Sequence, residues 1–194
     1  PVGTKVSCLI DEVTTDSMSV SLATGVEGEI LPLDYDSSLT SYNSADFIPG
    51  TKIEATVCCV VCQGYKLGLS MHPRCLEDLE PGSSVDGIII RKPAQSSLSE
   101  EIATVQLPGH REAFLFCTDV TEVKSWEKNP LQALANRERR TVTVLGTTLF
   151  FKKEVTAVTL RSDVLAQQQT SFQENQSVCG FVVNSGMKGV QVRY

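Results

Sequence analysis

The chain has 194 residues, 41% of them hydrophobic, and its 23 acidic and 17 basic side chains give a net charge of −6. No apolar run is long enough to cross a bilayer as a helix, so a membrane function is set aside. The acidic balance leaves no surplus of positive charge to neutralise phosphates. Strong, sequence-independent binding of nucleic acid by this chain alone is therefore not expected.

The seven cysteines are scattered along the chain without a regular disulfide framework. Several of them lie in apolar, strand-like runs, where a free cysteine behaves as a small buried hydrophobe. The chain also opens without the basic start, apolar run and cleavage site of a secretory signal. We therefore expect reduced thiols in an intracellular protein.

The first seventy residues alternate between short β-branched runs and turn-forming residues, which predicts strands. A polar stretch from Asp34 to Asp46 separates the third run from the fourth, and Pro49-Gly50 then marks the start of a new element. We predict five strands with the sequences KVSCLIDEV, SMSVSL, EGEILPL, KIEATVCCVV and YKLGLSM.

The second part of the chain repeats this pattern. The segment that starts at Glu80 aligns with the segment that starts at Pro1, so that Val85 matches Val6. Further along, ATVQLPGHREAFL matches SVSLATGVEGEIL. The runs RTVTVLG and AVTLRS take the places of the fourth and fifth strands. The sequence thus predicts a second five-stranded unit.

An insertion separates the third and fourth strands of this second unit. Trp126, Leu131 and Leu134 recur there at helical spacing, and basic residues follow as far as Arg140, where a helix dipole favours them. We predict a helix around residues 126–135. It either docks a partner or covers the open end of its own barrel.

A third copy of the opening strand starts near Asn175, where Val178 matches Val85. Two strands cannot bury a core by themselves. We expect the chain to be part of a longer array whose neighbouring repeats pack on these, the alternative being that this hairpin docks on the second unit.

Five strands per unit and an internal repeat favour small antiparallel barrels over a parallel sheet, whose strands would alternate with long helices. We predict an all-β fold of tandem five-stranded, oligonucleotide-binding-type barrels, with a helical insertion in the second. The predicted domains are residues 1–76, residues 77–165, and a linker with the start of a third repeat at 166–194.

The pattern of the first unit resembles the ribosomal S-one motif, a family of oligonucleotide-binding barrels. Most of the matching positions are core or turn residues, so the resemblance concerns the fold. In the first repeat they are Gly3, Val6, Val13, Gly28, Ile30, Phe47, Gly50, Ile53, Ala55, Val57, Leu67, Leu69 and Ser70. In the second repeat they are Gly82, Val85, Gly87, Val142, Val144 and Leu160.

The family usually binds RNA through aromatic residues on its second and third strands and a histidine after the third, because bases stack on flat rings. The first repeat departs from this, since its second strand has no aromatic residue and Tyr35 lies near the expected histidine. The second repeat has His110 in a turn, and Phe114 and Phe116 on its third strand, one of which is expected in the core by strand alternation. The candidate RNA-binding residues are Tyr35, His110, Phe114, Phe116, Arg137, Arg139 and Arg140.

One set of residues has the spacing of a zinc site, because thiolate and imidazole ligands in two close pairs suit tetrahedral zinc. Its members are Cys59, Cys62, His72 and Cys75. Strand alternation argues against it, since residues three apart in a strand point to opposite faces. Asp34, Asp36 and Asp46 are interpreted as solvated turn-formers rather than cation ligands. We predict no resident metal and no cofactor.

The sequence contains no nucleophile elbow, phosphate-binding loop or zinc-protease motif, so an enzyme is not expected. The resemblance, which is greatest to the nucleolar multi-repeat scaffolds of ribosome biogenesis, implies a noncatalytic scaffold in an intracellular ribonucleoprotein assembly. Its partners would be proteins and possible single-stranded RNA, in the nucleus or nucleolus, with the cytoplasm as the alternative. The alternative function is direct binding of single-stranded RNA by the second repeat.

Overall fold

The structure is a computed structural model that describes residues 1–61, 66–90, 102–121, 130–150, 153–162, 181–186 and 189–193. A short helix, α1 (Pro32–Tyr35), follows the third strand, and 3₁₀ turns lie at Ser44–Asp46, Cys117–Asp119 and Pro130–Ala133. The strands are β1 (Lys5–Val13), β2 (Met18–Leu22), β3 (Glu27–Ile30), β4 (Lys52–Val61), β5 (Lys66–Ser70), β6 (Ser84–Ile90), β7 (Ile102–Leu107), β8 (Arg111–Phe116), β9 (Glu138–Phe150), β10 (Lys153–Thr159), β11 (Phe181–Gly186) and β12 (Gly189–Arg193).

Strands β1 to β5 close into barrel 1 in the order β1-β2-β3-β5-β4, with β4 pairing back onto β1. Neighbouring strands are antiparallel except for β3 and β5, which are parallel. Successive side chains point to opposite faces of a strand, so alternate positions fill the interior. The core consists of Cys8, Ile10, Met18, Val20, Ile30, Tyr42, Ala55, Val57 and Leu69.

Strands β6 to β10 form barrel 2 with the same connectivity, in the order β10-β8-β7-β6-β9. Its parallel pair is β8 and β10, which corresponds to β3 and β5 of barrel 1. Two closed five-stranded barrels in tandem confirm the predicted all-β fold of the oligonucleotide-binding type. Closure leaves neither barrel with an exposed sheet edge.

Two local predictions were wrong. The third strand ends at Ile30, because Pro32 begins α1 instead of extending the strand. Of the helix predicted around residues 126–135, positions 126–129 lie outside the described residues, and the described part forms the 3₁₀ turn Pro130–Ala133 instead of an α-helix. Arg139 and Arg140 belong to β9 rather than to the end of a helix.

The insertion covers its own barrel in the part that the structure describes. Leu131 and Leu134 are buried and belong to the core cluster of barrel 2, together with Val85, Leu115 and Val142. This favours the second of the two roles predicted for the segment.

The hairpin turn between the second and third strands shows how the two barrels correspond. Each turn encloses three residues, 23–25 in barrel 1 and 108–110 in barrel 2. Gly25 therefore corresponds to His110 in the structure. The alignment of ATVQLPGHREAFL with SVSLATGVEGEIL had matched Gly25 with Gly109, which is off by one residue. Both residues have a positive φ, 75° for Gly25 and 58° for His110.

The hairpin of β11 and β12 is antiparallel and forms a separate two-stranded sheet. It occupies the place predicted for the start of a third repeat. The domain boundaries themselves remain predictions. No helix within the described residues is long and apolar enough to span a membrane.

Candidate functional site at the junction of the two barrels

The buried carboxylate of Asp34, in barrel 1, contacts barrel 2 directly. Asp34 lies in α1, directly after β3, and its side chain is fully buried. The hydroxyl of Ser70 donates to its Oδ1 at 2.6 Å. The backbone N–H groups of Gly109 and His110, in the β7–β8 turn of barrel 2, donate to Oδ1 and Oδ2 at 2.6 and 3.1 Å. Donors from both barrels thus satisfy a carboxylate that would otherwise be costly to bury.

His110 fills the space beside this carboxylate. Its side chain is 4% exposed, and its Nε2 donates to the carbonyl oxygen of Leu69 at 3.1 Å while lying 3.9 Å from Asp34 Oδ2. The left-handed backbone of His110 costs an L-residue about 1 kcal/mol. The contacts that His110 makes across the junction offset this cost.

Gly68 on β5 allows the histidine ring to approach barrel 1. A Cβ atom on Gly68 would lie 2.9 Å from His110 Cγ and 2.5 Å from Cys59 Sγ, closer than real contacts allow. A glycine inside a strand is destabilising unless a close approach requires it. The missing side chain of Gly68 is therefore part of the junction.

Arg111 connects barrel 2 to the segment that links the barrels. Its Nε donates to the carbonyl of Pro108 at 2.7 Å, and its two terminal nitrogens donate to the carbonyls of Glu77 and Arg74. A Cβ on Gly109 would lie 2.1 Å from the carbonyl oxygen of Cys75, so the turn also touches the linker backbone directly.

A second contact joins the barrels at the start of β9. Arg137, with a φ of 63°, forms an ion pair with Asp16 in the β1–β2 turn. The same guanidinium donates to the carbonyl of Thr40 at 3.4 Å, in the segment between α1 and β4. Two separated contacts, at Asp34 and at Arg137, resist rotation of one barrel against the other.

Several of the predicted RNA-binding residues take part in these internal contacts. His110 and Arg137 lie in the junction, as described above. Tyr35 packs edge-on against Tyr42 and Phe47, with ring centroids 6.0 and 5.3 Å away, and contacts the core of barrel 1. Packing within barrel 1 therefore accounts for the position of Tyr35.

Phe114 and Phe116 lie on the outer face of β8. Ala113 and Leu115 point into the core, and the two phenyl rings are in T-shaped contact with centroids 6.5 Å apart. Strand alternation does not separate the two rings, because residues two apart in a strand share a face. Burial separates them instead: Phe116 is buried, as expected for one of the two, whereas Phe114 is half-buried.

The remaining two arginines of the basic cluster are paired with acidic side chains. Arg139 forms an ion pair with Asp86 on β6, and Arg140 forms one with Glu138. Hydrogen bonds from Arg139 and Thr141 hold the pKa of Asp86 below its usual value. These pairs offset much of the positive charge that the sequence suggested for binding a phosphate backbone.

The outer face of β2 and β3 in barrel 1 is acidic and hydroxyl-bearing. Ser19 pairs with Glu29 and Ser21 pairs with Glu27 across the two strands. Glu12 on β1 pairs with Ser19 and extends the same row. Carboxylates on this face repel phosphate groups.

The four residues with zinc-site spacing, Cys59, Cys62, His72 and Cys75, are not assembled into a site by the described residues. Cys62 lies outside them, and within the described ranges no group of three histidine, cysteine, aspartate or glutamate side chains has metal-binding geometry. Cys59 lies next to His110, while Cys75 is buried in the linker. The described cysteines are free thiols, namely Cys8, Cys58, Cys59, Cys75 and Cys117.

Asp34 and Gly68 are the junction residues that the sequence interpretation missed. Asp34 was assigned to a solvated turn, and Gly68 was treated as an ordinary strand position. A signal was present in the repeat, because Asp34 and Ser70 correspond to Asp119 and Thr159 in barrel 2. There, too, the hydroxyl donates to the carbonyl oxygen of the aspartate, at 3.0 Å, as Ser70 does to Asp34 at 3.3 Å.

Comparison with known proteins adds little to this geometry. No family model and no curated protein matches the chain. One matching solved structure is a multidomain protein with nucleic-acid-binding domains from Streptococcus pneumoniae, with 11% sequence identity and a TM-score of 0.30. The match covers 89% of this chain and 54% of that one, so this chain spans about half of its length. Similarity at this level carries no argument about function, and the tandem barrel fold rests on the strand topology described above.

Proposed function

We propose that this chain is a noncatalytic scaffold module of a large intracellular ribonucleoprotein assembly of the ribosome-biogenesis type. Its role is to hold two barrels in a fixed relative orientation so that their outer surfaces dock protein partners. The observation that carries this proposal is the junction at Asp34, where polar groups of both barrels are used to join them. His110 and Arg137, which an RNA groove would need on its surface, contribute to that joint instead.

The negative charge on the outer face of barrel 1 favours protein partners over RNA. Glu12 and Glu29 carry negative charge onto the strands that bind nucleic acid in many barrels of this type, and Glu27 beside them forms an ion pair with Lys66. Such a face favours basic protein segments, whose lysine and arginine side chains complement it. An array of such modules gains affinity by combining weak contacts.

Direct binding of single-stranded RNA is the second candidate, and the position of Phe114 favours it. This ring is half-buried on the outer face of β8, next to Phe116, and base stacking on an aromatic ring contributes about 1–3 kcal/mol. The binding surface would then lie on barrel 2 around β7 and β8.

Fluorescence anisotropy of a labelled single-stranded RNA separates the two candidates. We expect the protein to show no appreciable binding at micromolar concentration, at low or at moderate salt. Phe114→Leu, which removes the aromatic face but keeps an apolar side chain, is expected to leave the signal unchanged.

Salt-sensitive binding that Phe114→Leu weakens at least tenfold, with unchanged thermal stability, would establish the RNA-binding alternative. Glu112→Gln is the matched control, because Glu112 is exposed on the same face of β8 two residues away. Because it leaves both aromatic rings in place, it is expected not to weaken binding and to leave thermal stability unchanged.

A further inference from the structure

The carboxylate that joins the two barrels has a counterpart in barrel 2. Asp34 lies four residues after Ile30, the last core residue of β3. Asp119 lies four residues after Leu115, the last core residue of β8. The two aspartates therefore occupy the same position in their barrels.

The segment around Asp119 is held to the fifth strand of its barrel as the corresponding segment of barrel 1 is. The carbonyl of each aspartate accepts a backbone N–H from beyond that strand, from Met71 at 2.7 Å in barrel 1 and from Leu160 at 2.8 Å in barrel 2. The guanidinium of Arg161 also donates to the carbonyl of Thr118, next to Asp119, at 2.9 Å. The position of Asp119 is thus fixed by the same contacts as its counterpart.

The two side chains are also similarly buried, since Asp119 is 7% exposed and Asp34 is 0% exposed. Asp34 accepts hydrogen bonds from Ser70, Gly109 and His110 at the same time. An ionised carboxylate has about four acceptor positions, so it can hold donors from its own barrel and from a neighbour together. Contacts within the chain therefore do not prevent Asp119 from accepting donors of a further turn.

We propose that Asp119 is the carboxylate of a second junction, at which it accepts backbone N–H groups from the third repeat that begins with β11 and β12. The donors are in the turn that follows β12, which corresponds to the β7–β8 turn of barrel 2. Each unit of a repeat array contacts its neighbours, so the junction of barrels 1 and 2 is the pattern for the next one. This inference does not depend on the proposed scaffold function.

The fifth strand determines which turn fits each junction. In barrel 1, Gly68 leaves room for the ring of His110, because a Cβ on Gly68 would lie 2.9 Å from His110 Cγ. By the pairing with the third strand, the corresponding position of β10 is Ala157. The methyl group of Ala157 takes up that space, so we expect the turn of the third repeat to carry a small residue where barrel 2 has His110.

Amide hydrogen exchange followed by mass spectrometry tests this in the protein extended past Tyr194 to the end of the third barrel. We expect Asp119→Asn to accelerate exchange in the turn after β12 at least about tenfold, because its N–H groups lose a charged acceptor. Exchange in β7 should stay slow, which shows that barrel 2 remains folded. Asp34→Asn is the matched control, since it should accelerate exchange in the β7–β8 turn and leave the turn of the third repeat unchanged.

Unchanged exchange in the turn of the third repeat, in a folded Asp119→Asn protein, would overturn the proposal. If that substitution unfolds barrel 2, Ala157→Val is the second test, because its added methyl groups obstruct the approach of the turn while Asp119 stays in place. Faster exchange in that turn then supports the second junction, and unchanged exchange contradicts it.

Discussion

Asp34 and Asp36 lie two positions apart and have opposite environments. Asp36 is exposed, and it accepts a hydrogen bond from the backbone N–H of Ser38 that lowers its pKa. Asp34 is buried and accepts hydrogen bonds from Ser70, Gly109 and His110. The same residue type thus shapes a local turn at one position and joins two barrels at the other.

Asp34→Asn is expected to lower the free energy of unfolding by about 2 kcal/mol. An amide keeps one acceptor oxygen but turns its NH₂ group toward a backbone donor, so one buried N–H loses its partner. Urea unfolding measures the difference. Asp36→Asn is the control and should cost less than about 0.5 kcal/mol, as is usual for an exposed site. Equal effects of the two substitutions would contradict the role of Asp34.

His72 is a single residue that should make the stability of the folded protein depend on pH. Its Nδ1 accepts a hydrogen bond from the backbone N–H of Arg74 at 3.1 Å, which requires an unprotonated nitrogen. Burial lowers the pKa of His72 from its ordinary value of 6.5. The folded protein therefore takes up the proton less readily than the unfolded chain does.

The stability of the protein should consequently fall as the pH drops below about 6.5, and the fall should end below the folded-state pKa of His72. In His72→Asn, the side-chain oxygen still accepts the N–H of Arg74 but does not titrate. We expect the urea midpoint of this variant to decline less between pH 7 and pH 5 than that of the natural protein. Parallel declines would show that His72 is not the responsible group.

The turns between the second and third strands have the same length in the two barrels but different surroundings. In barrel 1 this turn contains Gly25, and a Cβ there would meet no atom within 4 Å. In barrel 2 the corresponding residue is His110, whose ring packs over Gly68. The hairpin turn has the same length in both barrels, but only the turn of barrel 2 packs against the other barrel in the described residues.

Gly68→Ala is expected to cost about 1–3 kcal/mol of stability, because the added methyl group overlaps Cys59 and His110. Chemical denaturation followed by tryptophan fluorescence or circular dichroism measures this. Lys66→Ala on the same strand is the control, since its exposed ion pair with Glu27 contributes at most about 1 kcal/mol. If Gly68→Ala proves neutral, the ring of His110 is not held against β5.

At the scale of the whole molecule, the junction makes the two barrels depend on each other. Asp34 links α1 to the β7–β8 turn, and Arg137 links the start of β9 to the β1–β2 turn. Interfaces between domains permit relative motion unless they are well anchored. Anchors at two separate places favour a single cooperative unit.

We therefore expect one calorimetric transition for both barrels, with equal calorimetric and van't Hoff enthalpies. Combining Asp34→Asn with Arg137→Ala should separate it into two transitions, one for each barrel. Arg140→Ala, which removes an ion pair within barrel 2, should leave a single transition. Two transitions in the natural protein would mean that the barrels unfold independently.

The fold was largely predictable because it rests on local patterns. Strands β1 and β4 begin and end at the predicted residues, since alternating side chains and Gly or Pro turns are properties of contiguous sequence. The repeat of the opening strand then identified two units. The start of α1 was missed because Pro32 suits the first turn of a helix as well as the end of a strand.

The candidate site was predictable to a smaller extent. The aromatic and basic residues of the second repeat were named as candidates for binding RNA, but the residues that His110 and Arg137 contact lie far away in the sequence. His110 meets Asp34 and Gly68, and Arg137 meets Asp16. Which charges are paired, and which polar groups are buried, depends on these long-range contacts.

The sequence by itself determined the composition of each barrel, the order of its strands along the chain and the presence of a repeat, because these follow from hydrophobic periodicity and turn chemistry. Only the tertiary structure decided that one barrel docks its turn on the other through Asp34. The physical reason is that burial of a carboxylate depends on what packs over it, and the covering atoms come from a turn 75 residues further along the chain.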